Sequence, residues 1–234
     1  MAQRIIILLA FMFITLNANQ NALTAYKNKE YKKAFSLYEK AAKKGDSVSQ
    51  SALSFLYFNG VGVSKNTNLG LKWLKKSATN ANATAQYDLG MFYLKGNNVA
   101  QDYKQAATWL DSSAKLGNTD AQFNLALMYY KGEGVDENTT KSAELLDAAA
   151  TNGHIHAKQN IGRLYMRLLK FDKAIAWLTL NAKEGDVEAF YLLAEIYVSK
   201  EEFKEAAYWA DRAIAKHDLK AQELWDKYKL GDYQ

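Results

Sequence analysis

The sequence predicts an all-α chain built as a stack of antiparallel helix hairpins, and three observations carry that prediction. A small residue, a Leu or Ile and a Tyr recur in one fixed register, a Trp or Leu recurs in a second, and glycines punctuate the joints between them. None of the 234 residues is proline, so no helix interior is broken by one.

The first register opens at Ser49, Ala85, Ala121, Ala157, Ala189 and Ala221, at spacings of 36, 36, 36, 32 and 32 residues. Four residues on stand Leu53, Leu89, Leu125, Ile161, Leu193 and Trp225, and eight residues on stand Tyr57, Tyr93, Tyr129, Tyr165 and Tyr197. A helix turns about 100° per residue, so these three positions share one face. Five residues after each opener, Ser54, Gly90, Ala126, Gly162 and Ala194 leave room for a neighbouring helix. This is the first helix, A, of each unit.

The second register holds Leu37, Trp73, Trp109, Leu145, Trp177 and Trp209, each twelve residues before the next opener and flanked by small residues. Large beside small at fixed offsets predicts a second helix, B, with this slot buried between hairpins. Helix B is expected to end at Gly45, Gly117, Gly153 and Gly185 in the left-handed cap conformation. In the 36-residue units helix A ends likewise at Gly60, Gly96 and Gly132. Gly62 and Gly134 then turn the loop back, and Val63, Val99 or Val135 pins it. The 32-residue units lack that loop, which is therefore a four-residue elaboration of a shorter hairpin. The units run approximately 19–48, 49–84, 85–120, 121–156, 157–188 and 189–220, with a capping helix at 221–234.

The stretches "SQSALSFLYFNGVGV", "AQYDLGMFYLKGNNV" and "AQFNLALMYYKGEGV", followed by helices ending as in "SSAKLGNTDA", resemble SEL-one-like repeats, relatives of the tetratricopeptide repeat. The resemblance is specific over 49–157 and looser at 19–48 and 157–221, where the loop is absent. Gly96-Asn97-Asn98-Val99 departs from it by lacking the second glycine. The resemblance implies a right-handed superhelical solenoid, a single body over 19–234, that binds other proteins. Secreted bacterial members of the family are commonly adaptors in envelope processes or in host contact.

Residues 1–18 have the shape of a secretory signal peptide: Arg4, an apolar run from Ile5 to Leu16, then small or polar residues with Ala18 as the cleavage position. The run falls short of the ~20 residues a membrane-spanning helix needs. An exported chain, periplasmic or secreted, with no membrane segment after cleavage is the expectation. Lysines 27, 29, 32, 33, 40, 43 and 44 face only Glu30 and Glu39 in residues 19–45, so the basic balance of the chain is concentrated near this end. Residues 27–44 read as a solvated terminal helix, with transient contact to an anionic surface as the alternative.

Chemistry-bearing patterns are sparse. Cysteine is absent, which excludes disulfides, zinc thiolate sites and Cys nucleophiles. His154-Ile155-His156 falls in the turn before a helix A, where a turn-and-cap role outweighs a metal role. Ser112-Ser113-Ala114-Lys115 has the Ser-x-x-Lys spacing of penicillin-recognising enzymes but lies on helix B, without the Ser-Asp-Asn or Lys-Thr-Gly partner motifs. The aromatic ladders occupy core slots, so nucleic-acid stacking is not expected. The expected protein is therefore no enzyme and needs no cofactor or metal. A secreted β-lactam-type hydrolase is the alternative, and an envelope scaffold acting through its basic N-terminal cap is another.

Helix A carries a second apolar stripe, two, six and nine residues after the opener and pointing away from the core face. It comprises Phe55, Phe58, Tyr87, Met91, Leu94, Phe123, Leu127, Tyr130, Met166, Tyr191 and Val198, interrupted by Ser51, Gln159, Arg163 and Glu195. Ten residues after the opener stand the cations Lys95, Lys131 and Arg167. An apolar strip edged by cations suits a protein or peptide segment with apolar anchors and a carboxylate.

Overall fold

The computed structural model describes residues 19–234, and the expected signal segment lies outside them. Every regular element among the described residues is helical. Residues 19–27 form α1. There follow α2 (Tyr31–Lys43), α3 (Ser47–Asn59), α4 (Thr67–Thr79), α5 (Ala83–Lys95), α6 (Tyr103–Lys115) and α7 (Thr119–Lys131). Then come α8 (Thr139–Thr151), α9 (Ile155–Arg167), α10 (Phe171–Lys183), α11 (Val187–Ser199), α12 (Phe203–Ile214) and α13 (Leu219–Tyr228), closed by a 3₁₀ turn at Leu230–Tyr233. Odd-numbered helices are A and even-numbered helices are B. The chain divides into two compact units, the first ending at Asp136 and the second spanning Glu137–Gln234, so the boundary falls in the loop after α7.

Helix length does not distinguish the two repeat lengths, because α2 to α11 are each 13 residues long. The difference lies in the A-to-B connection. In the three-residue turns the N–H of the residue before helix B donates to a carbonyl five residues back, as Lys170 does to Tyr165 and Glu202 to Tyr197. In the seven-residue loops the same bond spans nine residues, from Asn66 to Tyr57 and from Asp102 to Tyr93. The acceptor is the register tyrosine in all four cases, so the loop is a four-residue insertion into an otherwise unchanged closure.

Helix A follows its sequence register closely. Ser49, Ala85, Ala121, Ala157, Ala189 and Ala221 are all fully buried, as are Leu53, Leu89, Leu125, Ile161 and Leu193. The small residue five after the opener receives a leucine of helix B. A methyl added at Gly90 would lie 2.9 Å from Leu110 Cγ, and one at Gly162 would lie 2.7 Å from Leu178 Cγ. Each glycine is the hole for that knob.

Helix B corrects the expectation. Leu37, Trp73, Trp109, Leu145, Trp177 and Trp209 are only partly buried, and the buried residue is the next one: Tyr38, Leu74, Leu110, Leu146, Leu178 and Ala210. The core stripe of α6 runs through Ala106, Leu110, Ser113 and Ala114, which places Trp109 on its flank. From there the large rings cover the edges of the core and keep polar contacts. Trp177 Nε1 donates to Asp147 at 2.7 Å, and the Lys76 ammonium lies over the Trp73 ring.

The ends are capped in two ways. Asp46, Asn82, Asn118 and Asp218 accept from the N–H of the opener three residues on, and His154 does the same through Nδ1 at 3.1 Å from Ala157 N. The cap role expected for the His154 turn is therefore present, and the bond requires an unprotonated Nδ1. Gly45, Gly117, Gly153 and Gly185 take positive φ after helix B as expected, while Ala81 holds the same conformation (φ 56°) without the freedom of glycine.

A polar ladder supplements these caps. Gln50, Gln86 and Gln122 are buried, and each donates through Nε2 to a last-turn carbonyl of the preceding helix B: Ala42, Ala78 and Ala114. Gln50 Oε1 accepts from Asn80, whereas Gln86 Oε1 has no hydrogen-bond partner among the described residues, because Leu116 stands where the matching asparagine would be.

Candidate binding face

The apolar stripe of helix A is placed by the same geometry that buries the opposite face. Its members differ in how far they are covered. In the first unit Phe55 is 50% exposed, and Leu127 and Tyr130 are each 38% exposed. Tyr87, Met91, Leu94 and Phe123 are partly buried. Phe58 is drawn further inward: its ring meets Phe92 edge-on at 5.4 Å and packs over Gly70, where a side chain would collide with it. Burial raises the pKa of the Tyr87 hydroxyl. The cations Lys95 and Lys131 are exposed, and Lys131 lies 3.7 Å from Glu133.

In the second unit the stripe is less open. Val198 is buried in the core with Ala194 and Ala206, contrary to its expected place on an open face, because the C-terminal helix and the 3₁₀ turn close over that end. Arg163 pairs with Glu188 of α11 at 2.5 Å, and Tyr191 is partly buried with the Lys220 ammonium 5.9 Å from its ring centre. Met166 is also partly buried, and Arg167 is exposed.

A cleft of about 760 Å³ opens among α1, α2, α3, α4 and α5 of the first unit. Leu23, Tyr26, Phe55, Phe58 and Phe92 supply apolar lining, and among the described residues Asp88 is its one acid and Lys65 its one cation. Burial pushes the Asp88 carboxyl above the usual range for aspartate. The sequence reading missed Asp88, since a single acid on a helix reads as surface. Its signal was the slot: three residues after the opener, the corresponding positions hold Ala52, Asn124 and Asn160.

The Ser-x-x-Lys match makes no catalytic pair. Ser112 Oγ donates to the Thr108 carbonyl, and Lys115 pairs with Asp111 at 2.5 Å, which raises the lysine pKa, the reverse of what a general base requires. No cluster of His, Asp or Glu among the described residues is arranged to hold a metal ion. None of the described helices is long and apolar enough to cross a membrane.

The comparisons with known proteins agree with this geometry. No protein of curated function matches the chain in sequence. Among solved structures it is similar to c5321, a protective antigen of uropathogenic Escherichia coli with an SLR fold, at 25% identity and a TM-score of 0.70. That similarity covers 94% of this chain and 50% of the antigen, so this chain spans half the antigen's length. It is also similar to a Sel1 repeat protein from Oxalobacter formigenes, at 28% identity and a TM-score of 0.63, covering 86% of this chain and 88% of that one. A likeness to the tetratricopeptide protein YrrB, at 20% identity, a TM-score of 0.51 and coverage of 80% and 96%, speaks to the fold alone. The Sel1 repeat profile matches residues 26–46, 47–82, 83–118 and 119–154, more than half of the chain, and with its helical hairpins in register the chain belongs to the Sel1 repeat family.

Proposed function

We propose that this chain is a non-catalytic interaction module that holds a peptide or helix of a partner protein along the apolar face of α3, α5 and α7. The observation that carries the reading is the exposure of Phe55, Leu127 and Tyr130 on the helix face turned away from the core. Large apolar side chains on a rigid helical frame supply anchors at low entropic cost. Lys95 and Lys131 stand at the rim, where they favour an approaching carboxylate and its rate of association. The signal-like residues 1–18 support export to the bacterial envelope or beyond, in keeping with the similarity to a protective antigen.

Photo-crosslinkers placed at Phe55 and Leu127 should capture a partner in cells, whereas one at the exposed Thr108 of α6 should not. Equal capture from both faces would remove the reading. The mature chain should begin near Asn19, and an intact Met1 in exported protein would count against the leader. One further observation favours a secondary contact through the basic cap: Lys33 and Lys43 pair with Glu30 and Glu39, but no ion pair joins the other lysines of residues 27–44 to a described residue.

A further inference from the structure

The cleft of the first unit holds a charge that the free protein does not use. Asp88 lies one turn from Phe92 along α5, and the Phe92 ring meets Phe58 of α3 edge-on. Among the described residues nothing donates a hydrogen bond to the Asp88 carboxylate and no cation pairs with it. Lys65, on the same lining, does not pair with it either. The corresponding residues of later repeats are neutral and locally satisfied: Asn124 donates to the Asp120 carbonyl and Asn160 to the His156 carbonyl. A partly desolvated carboxylate without a partner costs stability.

Resting on the binding-face reading above, we propose that Asp88 anchors a basic side chain, so that the partner segment inserts a lysine or arginine into this cleft and lays apolar residues on the neighbouring stripe. Charge complementarity selects this occupant: the acid of the cleft is unpaired, and its walls are aromatic faces and edges. An arginine fits both features, with its guanidinium donating two hydrogen bonds to the carboxylate while its plane lies against a ring. A volume of about 760 Å³ exceeds one side chain and leaves room for the backbone that carries it. The desolvation that penalises Asp88 in the free protein strengthens its attraction for a cation in the complex.

The test is selection from a random displayed peptide library on the wild-type chain, on Asp88→Asn and on the Phe55→Ser, Leu127→Ser double variant. Wild-type selection should enrich peptides in which Arg or Lys recurs at a fixed distance from apolar residues. Selected peptides should bind Asp88→Asn about 30-fold more weakly or worse. Replacing their arginine by citrulline should cause the same loss on wild type and little further loss on Asp88→Asn. The Asn variant should melt no lower than wild type, which separates lost binding from lost fold. Apolar peptides that lack a basic residue, or that bind both chains equally, would overturn the inference while leaving the binding face standing. A library yielding no peptide sensitive to the double variant would remove the face and the inference together.

Discussion

Hairpins joined by seven-residue loops and hairpins joined by three-residue turns close with the same backbone bond but differ in the residues that make the connection. In the loops the left-handed residue after helix A is Gly60, Gly96 or Gly132, and helix B begins behind Asn66, Asp102 or Asn138, whose side chain accepts from the first turn. In the turns the left-handed residue is Lys29, Leu169 or Glu201, and Glu30, Lys170 or Glu202 stands at the cap position without a side-chain bond. A left-handed non-glycine residue costs ~1–2 kcal/mol and a missing cap about 1. Ordering four more residues costs ~4–8 kcal/mol of backbone entropy, so caps alone do not offset the loop. The remainder comes from contact with the preceding repeat: Gly62 packs on the Tyr31 carbonyl, Gly134 packs on the Tyr103 carbonyl, and Val61 and Val63 reach the core. The loop is therefore a tie to a neighbour, and the short turn is local.

The largest effects should fall on what both kinds of hairpin share. Leu110→Ala and Leu178→Ala should each cost ~2–5 kcal/mol in chemical denaturation, because both leucines are buried against a glycine of helix A. A much smaller loss at Leu178 would mean that the short-turn hairpins pack by another rule. Trp109→Ala should cost less than Leu110→Ala although it removes more atoms, since its slot is only half covered.

Next comes the tie itself. Gly134→Ala combines a left-handed strain with overlap of the Tyr103 carbonyl and should cost more than about 2 kcal/mol. Gly60→Ala, whose added methyl would meet only Lys65 at 3.2 Å, should cost ~1–2 kcal/mol. Equal losses in the two melts would show that the loop does not lean on the preceding helix. In the other direction, Leu169→Gly should stabilise the short turn by about 1 kcal/mol, and Ala81→Gly should do the same after α4. Unchanged melting would mean that these turns relax out of the left-handed region. Asn66→Ala should then cost ~1 kcal/mol through its lost cap.

The smallest effect is a pH dependence. Burial raises the Asp88 pKa in the folded chain, so the folded state binds that proton more tightly than the unfolded state does. Its contribution to stability is full below the unfolded pKa and is lost as pH rises through the raised folded value. Lys65, Tyr26 and Tyr38 are the other titratable side chains among the described residues of the cleft, and burial carries the Tyr38 hydroxyl above its usual range, away from that acidic window. Stability of wild type minus that of Asp88→Asn should therefore fall with rising pH there. A flat difference would place the carboxylate in water.

Much of the fold was legible because its rules are short-range. The opener, the leucine four residues on, the left-handed glycines and the four-residue insertion all follow from helical period and backbone sterics. Asn98 shows the limit of reading glycines alone. It takes φ 59° in place of a second glycine, so the loop that departs from the glycine pattern keeps its left-handed residue, since asparagine tolerates that region. Helix B was misread by one residue because tryptophan is the conspicuous member of its slot, and one residue on a helix is a rotation of about 100°. The buried glutamines escaped notice because their reason, an orphan carbonyl at the end of another helix, is visible only once the helices are packed. On the stripe, sequence period identified the face but not its coverage: Val198 is closed by the chain's own C-terminal end and Phe55 is not.

The closing bond to the register tyrosine has a genetic consequence. Since it forms with either four residues more or four fewer in the connection, an in-frame gain or loss of four codons at this joint leaves every downstream helix in phase. A loop and a turn are therefore interchangeable in length at this joint, while the left-handed residue and the cap differ between them.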